Sequence, residues 1–126
     1  MAHELLKDPT HAEFIEWCSA WIRILKTLRA ENAALINQLA DALKETARRS
    51  FIEQAEEFQL LMLSREQSMI LLRHEINEQM EWLEKQPIGV PAPHLYEVLK
   101  GDVEGMVQEH DRVRVAFLVF INQGVS

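Results

Sequence analysis

The strongest constraint on the fold of this chain is a run from Thr10 to Gln86 that contains neither glycine nor proline. Pro9 precedes the run, Pro87 ends it, and Gly89 is the first glycine of the chain. A stretch without helix breakers is typical of α-helix. As one rod it would be about 115 Å long, at roughly 1.5 Å per residue. Such a rod would expose its apolar stripe to water, so we expect it to fold back on itself or to bind a partner.

We predict that the chain reverses direction at the arginine pair Arg48 and Arg49. Ser50 and Glu53 have the spacing of a capping box, in which the serine hydroxyl accepts a hydrogen bond from an amide of the first turn. Together with Lys44, the two arginines put positive charge where a preceding helix would end, which is the favourable sign for the helix dipole. A stop signal followed by a start signal indicates a helical hairpin.

The hairpin divides the run into a helix over about 9–47 and a second helix over about 51–86. A competing interpretation breaks each half again, with Asn32 ending one helix and Ser64 or Ser68 capping another. The hydrophobic pattern favours the longer helices, because apolar residues recur every seven positions in each half without a change of phase. These residues are Phe14, Trp21, Leu28, Leu35 and Ala42 in the first half, and Ala55, Met62, Met69, Ile76 and Leu83 in the second.

A third helix is predicted over about 93–122, after the only proline-rich part of the chain. Pro93 fits the first turn of this helix, since a proline there loses no helical hydrogen bond. Gly101 and Gly105 lie four residues apart on one helical face. They are compatible with a kink, with a short first helix, or with a close approach of another helix, and the sequence does not select one of these.

Composition places the chain among all-α proteins of one domain, spanning residues 1–126. Its apolar content of 48% and charged content of 26% are ordinary for a folded protein. We therefore predict an elongated antiparallel bundle of three long helices, with a compact four-helix bundle as the alternative. The net charge of −7 argues against nucleic acid and against anionic membranes as partners.

The single cysteine, Cys18, rules out an intrachain disulfide. The start of the sequence lacks the apolar core of a signal peptide, and the longest apolar run, Val115 to Ile121, is far shorter than the roughly 20 residues that span a bilayer. We expect a cytoplasmic protein, because the cytoplasm is the usual compartment of free thiols.

The end of the third helix is apolar on every side. Between Val113 and Ile121 only Arg114 is polar. A helix that packs on two neighbours needs an apolar arc and not an apolar circumference. We interpret the surplus as the interface of a homodimer, formed by Val113, Phe117, Phe120 and Ile121.

Polar residues interrupt the apolar stripes at about the middle of each helix, and a hairpin arrangement brings them to one level. We expect a polar layer that fixes the register of the helices, as a single asparagine does in coiled coils. The alternative is a small buried site for a metal or an acid–base pair. The layer consists of Asn32, Arg65, Glu66, Arg73 and His110.

Signatures of catalysis and of metal binding are weak. His74 and Glu78 lie four residues apart and are candidate metal ligands together with His110. The Glu-x-x-His pairs of di-iron bundles do not occur here. A Gly-rich phosphate loop, a Cys-x-x-Cys motif and a nucleophile elbow are also absent from the sequence. We predict neither a cofactor nor an enzymatic activity.

The sequence thus favours a non-enzymatic helical interaction module that self-associates as a homodimer. A variant of this hypothesis is a protein that binds the amphipathic helix of another protein through its methionine-rich face. The alternative is a small helical bundle that binds a metal or a small molecule at the polar layer.

Overall fold

The computed structural model describes residues 9–45 and 48–125, with only the backbone described at residues 124 and 125. Three antiparallel helices follow in chain order: α1 (His11–Glu45), α2 (Arg49–Lys85) and α3 (Tyr96–Val125). The described ranges contain no strand. Each helix is about 45–55 Å long, at roughly 1.5 Å per residue. The predicted all-α bundle of three long helices is confirmed, and the four-helix alternative is not supported.

The helices differ from their predicted bounds at several ends. α3 extends to Val125 instead of residue 122, and Pro93, predicted in its first turn, lies in the preceding loop. α2 begins near residue 49 instead of 51, and α3 begins at Tyr96 instead of residue 93. α1 was predicted to reach residue 47, but residues 46 and 47 lie outside the described part of the chain. None of the serines and asparagines considered as breaks interrupts a helix, because α1 and α2 continue through Asn32, Ser64 and Ser68. The Ser68 hydroxyl instead donates to the Ser64 carbonyl within α2.

The capping box predicted at Ser50 and Glu53 is wrong, although the reversal lies where it was expected. Arg48 occupies the N-cap position in an extended conformation and makes no capping hydrogen bond through its side chain. Ser50 therefore lies inside the helix, and Glu53 pairs with Arg49 at 3.3 Å. A capping box does occur at the start of α1: the Thr10 amide donates to Glu13 and the Glu13 amide donates to the Thr10 hydroxyl, both at 3.2 Å.

The connection from α2 to α3 is held by side chains of α2. Gln86 ends α2 in the left-handed conformation, with its amide bonded to the Trp82 carbonyl. The Trp82 indole donates to the Val90 carbonyl at 2.8 Å, and the His94 amide donates to the Gln79 amide oxygen at 3.0 Å. These bonds tie the proline-rich loop to the end of α2 and orient α3 for its return.

Two hydrophobic clusters form the core, one toward each end of the bundle. The first joins Cys18, Leu25, Met69, Ile76, Leu99 and Val103, and Trp21, Met80 and Trp82 pack against it. The second joins Leu35, Leu39, Phe51, Ala55, Met62, Phe117, Phe120 and Ile121. Trp17, unlike Trp21 and Trp82, has an exposed side chain at the bundle end.

The residues predicted to form a homodimer interface are placed differently from the expectation. Val113, Phe117, Phe120 and Ile121 are buried inside the chain's own bundle. Phe120 stacks on Phe51, with ring centroids 4.7 Å apart. These residues are buried within the chain because both α1 and α2 pack against the end of α3. The large apolar side chains that this segment leaves exposed are Val115 and Val119.

α3 is helical through both of its internal glycines. A Cβ atom added at Gly101 or Gly105 would meet no atom within 4 Å, so neither glycine marks a close helix approach. None of the three helices, as far as they are described, is both long and apolar enough to cross a membrane.

Candidate interaction surface

The polar layer at mid-height links each pair of helices. Asn32 of α1 is fully buried, and its amide nitrogen donates to the Met62 carbonyl of α2 at 2.9 Å. Arg29 of α1 pairs with Glu66 of α2 at 2.8 Å. These bonds connect α1 and α2 between the two hydrophobic clusters.

α3 joins the layer through a buried arginine and a buried histidine. Arg65 of α2 is only 3% exposed; it donates to the Met106 carbonyl at 3.1 Å and pairs with Glu109 at 3.0 Å. His110 of α3 is buried, and its Nε2 lies 3.0 Å from a carboxylate oxygen of Glu31 in α1. Because every helix pair is bonded at this height, sliding one helix along another would leave buried polar groups without partners.

Four of the five residues predicted for the layer lie in it: Asn32, Arg65, Glu66 and His110. Arg73 does not, because its side chain is exposed. Gln79 was not predicted as a buried polar residue, although it is fully buried on α2 and binds the loop before α3. The sequence position of Gln79 indicates its burial, because Gln79 follows the core residue Leu72 by seven residues.

The candidate metal ligands do not converge. His74 and Glu78 form a loose, exposed pair at 3.8 Å, and Glu78 also lies 3.4 Å from His94. His110 lies in the polar layer, against Glu31. Within the described ranges, no three histidine, cysteine or acidic side chains are placed to hold a metal ion.

Cys18 is a buried core residue. Its side chain is fully buried in the first hydrophobic cluster. Burial raises the pKa of the Cys18 thiol to about 11, so the nucleophilic thiolate is disfavoured at neutral pH. Burial also raises the pKa of the nearby Tyr96 hydroxyl, and the Gln79 amide opposes part of that shift.

An aromatic cavity of about 660 Å³ opens between the N-terminal ends of α1 and α3. Phe14 stacks on Tyr96 with ring centroids 3.9 Å apart, and meets Trp17 edge to face at 5.4 Å. The remaining walls come from Pro9, Trp21, Leu95, Glu97 and Lys100. The cavity has the size and apolar character of small-molecule sites.

The solvent-facing side of α2 carries a second apolar stripe, opposite the one in the core. This surface, which we call the outer stripe, consists of Leu60, Leu63, Gln67 and Ile70. Their spacing of three, four and three residues places them on one helical face. Leu60 is 69% exposed, and Leu63 and Ile70 are each 46% exposed. The spacing is that of a coiled-coil seam, in which such residues pack against another helix.

The outer stripe also lacks charge. Between Leu60 and Leu72 the charged residues are Arg65 and Glu66, and both are engaged in the polar layer. Several exposed apolar side chains on an uncharged helical face are typical of an interaction surface. The sequence contains this signal, because α2 carries two opposed apolar stripes and only the inward one belongs to the predicted core.

Comparisons of the chain with protein-family models, with curated proteins and with solved structures gave no match.

Proposed function

We propose that this protein is a non-enzymatic helical interaction module that self-associates through the outer stripe of α2. The observation that carries the proposal is the uncharged, apolar face formed by Leu60, Leu63 and Ile70. Burial of these side chains against a second helix would remove apolar surface from water, which is the main driving force of association. The polar layer supports a structural role for the bundle interior, since its charged groups are paired with one another.

The stripe is short, so the expected affinity is modest. From Leu60 to Ile70 it extends about 15 Å along the helix axis. Interfaces of this size lie at the small end of specific contacts and are often transient. We propose a homodimer in equilibrium with its monomer, in the cytoplasm, where the single thiol of Cys18 has no need of a disulfide partner.

Solution mass as a function of concentration tests the proposal. Sedimentation equilibrium from about 2 to 200 µM should show a dimer fraction that rises with concentration, as mass action requires. The double variant L63Q/I70Q should remain monomeric over this range, with an unchanged circular dichroism spectrum. A wild-type protein that is strictly monomeric up to the highest concentration would contradict the proposal.

A matched control comes from α3. Val115 and Val119 are 48% and 51% exposed, fractions similar to those of Leu63 and Ile70. They lie on a different surface, the apolar C-terminal segment of α3. The double variant V115Q/V119Q should dimerise like the wild type. If it abolishes association while L63Q/I70Q does not, the interface lies on α3 and the assignment to α2 is wrong.

The aromatic cavity favours a second candidate function, the binding of a flat apolar small molecule. Its walls include the aromatic side chains of Phe14, Trp17 and Tyr96, and the Trp17 side chain is exposed. Aromatic rings of this kind pack well against flat apolar ligands. The ligand-binding alternative is better supported here than at the polar layer, where the charged groups already bind one another.

Titration with anilinonaphthalene sulfonate, a flat apolar dye, tests this second function. Saturable dye fluorescence is expected, together with quenching of tryptophan emission. The W17A variant should lose this response, whereas W82F should keep it, because the indole of Trp82 is engaged by the Val90 carbonyl outside the cavity. A linear, unsaturable response in the wild type would remove the candidate.

A further inference from the structure

We infer that two copies of the chain pair through the outer stripe in an antiparallel arrangement, in a register that places Leu60 against Ile70 and Leu63 against Gln67 of the second copy. The inference rests on the proposed self-association and specifies its geometry. A two-fold axis perpendicular to α2 near residue 65 generates each of these contacts twice, as a closed dimer requires.

The extent of the outer stripe favours this register. Coiled-coil seams place residues with spacings of three and four against a partner helix. In antiparallel pairing about residue 65, each leucine of the stripe meets Ile70 or Gln67, and no member is left facing a charge. Shifting one helix by a heptad in one direction keeps Leu60 against Leu63 but sets Ile70 against Glu53. The opposite shift sets Leu60 against Asn77, so either shift leaves an apolar member of the stripe facing a polar side chain.

The charged residues beyond both ends of the stripe disfavour a parallel dimer. Continued along the same face, the seam contains Glu53 and Glu56 on the N-terminal side, and His74, Asn77 and Glu81 on the C-terminal side. Parallel pairing would place each of the three glutamates against its own copy. Glu53 and Glu81 already pair with Arg49 and Lys85 within the chain, so the unfavourable contact of like charges falls mainly on Glu56. The charge pattern therefore disfavours a parallel dimer.

Antiparallel pairing separates each glutamate from its own copy. About residue 65, Glu56 lies opposite His74, Glu53 opposite Asn77, and Glu81 opposite Arg49. Each glutamate thus meets a basic or a neutral side chain of the second copy. Both Glu56 and His74 are exposed on the single chain. This complementarity selects a second copy of the chain as the occupant of the stripe.

The charges beside the centre do not oppose this arrangement. Glu66 flanks the seam near the two-fold axis, where its copy would approach. Its carboxylate is paired with Arg29 at 2.8 Å and so is already neutralised within each chain. Arg65 is buried and faces α3. The middle of the seam therefore consists of apolar and neutral side chains.

Cysteine crosslinking tests the orientation. In the antiparallel register the two copies of position 56 lie about 27 Å apart along the helix axis, too far for a disulfide, whereas positions 56 and 74 are neighbours. Under mild oxidation, E56C alone should stay uncrosslinked, and an equimolar mixture of E56C and H74C should give a mixed disulfide dimer. The wild type is the control, because Cys18 is buried. A disulfide dimer formed by E56C alone would overturn the inference.

A gain of affinity tests the charge argument independently. His74→Lys places a cation opposite Glu56 in the antiparallel dimer, twice per dimer, and should tighten the dimerisation constant about fivefold at low salt. In a parallel dimer the same change would place lysine against lysine and weaken association. H74Q is the neutral control, and the difference should vanish in about 0.5 M NaCl because salt screens exposed charges.

The outcomes separate the inference from the function on which it rests. A monomeric wild type would remove both. A wild-type dimer whose affinity falls in H74K, or whose E56C variant crosslinks with itself, would keep self-association and overturn the antiparallel register. Tighter association in H74K together with the mixed 56–74 disulfide would establish it.

Discussion

Single residues at mid-height determine how the three helices are aligned. Asn32, Arg65 and His110 are buried, and each bonds to a different neighbouring helix. Two buried polar atoms of this layer, Oδ1 of Asn32 and Nε of Arg65, have no hydrogen-bond partner. Incomplete satisfaction costs stability, so the layer contributes more to a unique register than to the free energy of folding.

Arg65 offers a direct test of this view. Arg65→Ala should lower the free energy of unfolding by about 2–4 kcal/mol, since it removes the long apolar stem that fills the interior. Arg65→Met should stay within about 1 kcal/mol of the wild type, because methionine restores the packing and the lost ion pair reaches a half-exposed Glu109. Urea unfolding measures both values. Equal losses in the two variants would show that the charge itself stabilises the bundle.

Cys18 should make the fold sensitive to alkaline pH. Burial raises its pKa from the ordinary value of 9.0 to about 11, so the folded state holds the thiol proton more tightly than the unfolded chain does. The corresponding stability is fully present below pH 9 and is lost as the pH rises through 11. The loss should approach about 2–3 kcal/mol, from roughly 1.4 kcal/mol per pKa unit.

Urea unfolding between pH 8 and 11 measures this loss. The control is Cys18→Ala, which lacks the titrating thiol and keeps Tyr96, so it should show a weaker alkaline decline. Parallel pH profiles for the two proteins would contradict the assignment of the effect to Cys18.

At the scale of a helix, the start of each element is decided by which side chain reaches a free amide. Thr10 and Glu13 make a reciprocal pair of hydrogen bonds at the start of α1. Ser50 and Glu53 have the same residue spacing, but α2 begins before them and its N-cap residue, Arg48, makes no capping hydrogen bond through its side chain. The same spacing of a hydroxyl residue and a glutamate therefore forms a capping box at the start of α1 but not at the start of α2.

Two matched substitutions test this difference. Thr10→Ala should lower the free energy of unfolding by about 1 kcal/mol, because it leaves an amide of the first turn without its partner. Ser50→Ala should change it by less than about 0.5 kcal/mol, since alanine is favoured inside a helix. Thermal unfolding followed by circular dichroism would compare them. A larger loss in S50A than in T10A would restore the capping box at Ser50.

At the scale of the whole molecule, apolar residues are divided between the chain's own core and a surface. The aromatic end of α3 belongs to the core: Phe117 is fully buried and meets Phe58 edge to face at 5.5 Å. The exposed leucines and isoleucine of α2 belong to the surface. The two sets should therefore respond to substitution in different ways.

Phe117→Ala should lower the free energy of unfolding by about 3–5 kcal/mol, as expected for removal of a buried aromatic ring. Because the contacts of Phe117 lie within one chain, the loss should not depend on protein concentration. Urea unfolding at about 1 and 100 µM would show this. A loss that disappears at the higher concentration would indicate that Phe117 contacts a second subunit after all.

The sequence by itself was sufficient for the class of fold, the number of long helices and the place of the first reversal. These depend on local physics: an uninterrupted helix-forming run and apolar residues repeating every seven positions require helices that fold back on one another. The same periodicity located Asn32, Arg65 and His110, because buried polar residues interrupt an otherwise apolar stripe.

Only the tertiary structure decided which apolar residues are covered. The segment from residue 113 to 121 looked like surplus hydrophobic surface, yet its two phenylalanines, Val113 and Ile121 are buried within the bundle, whereas Leu60, Leu63 and Ile70 are left facing water. The partner of each buried polar group was also decided at this level, as with Glu31 for His110 and Met106 for Arg65. Burial and pairing depend on how neighbouring helices are rotated and spaced, and helical periodicity within one element carries no information about the position of the others.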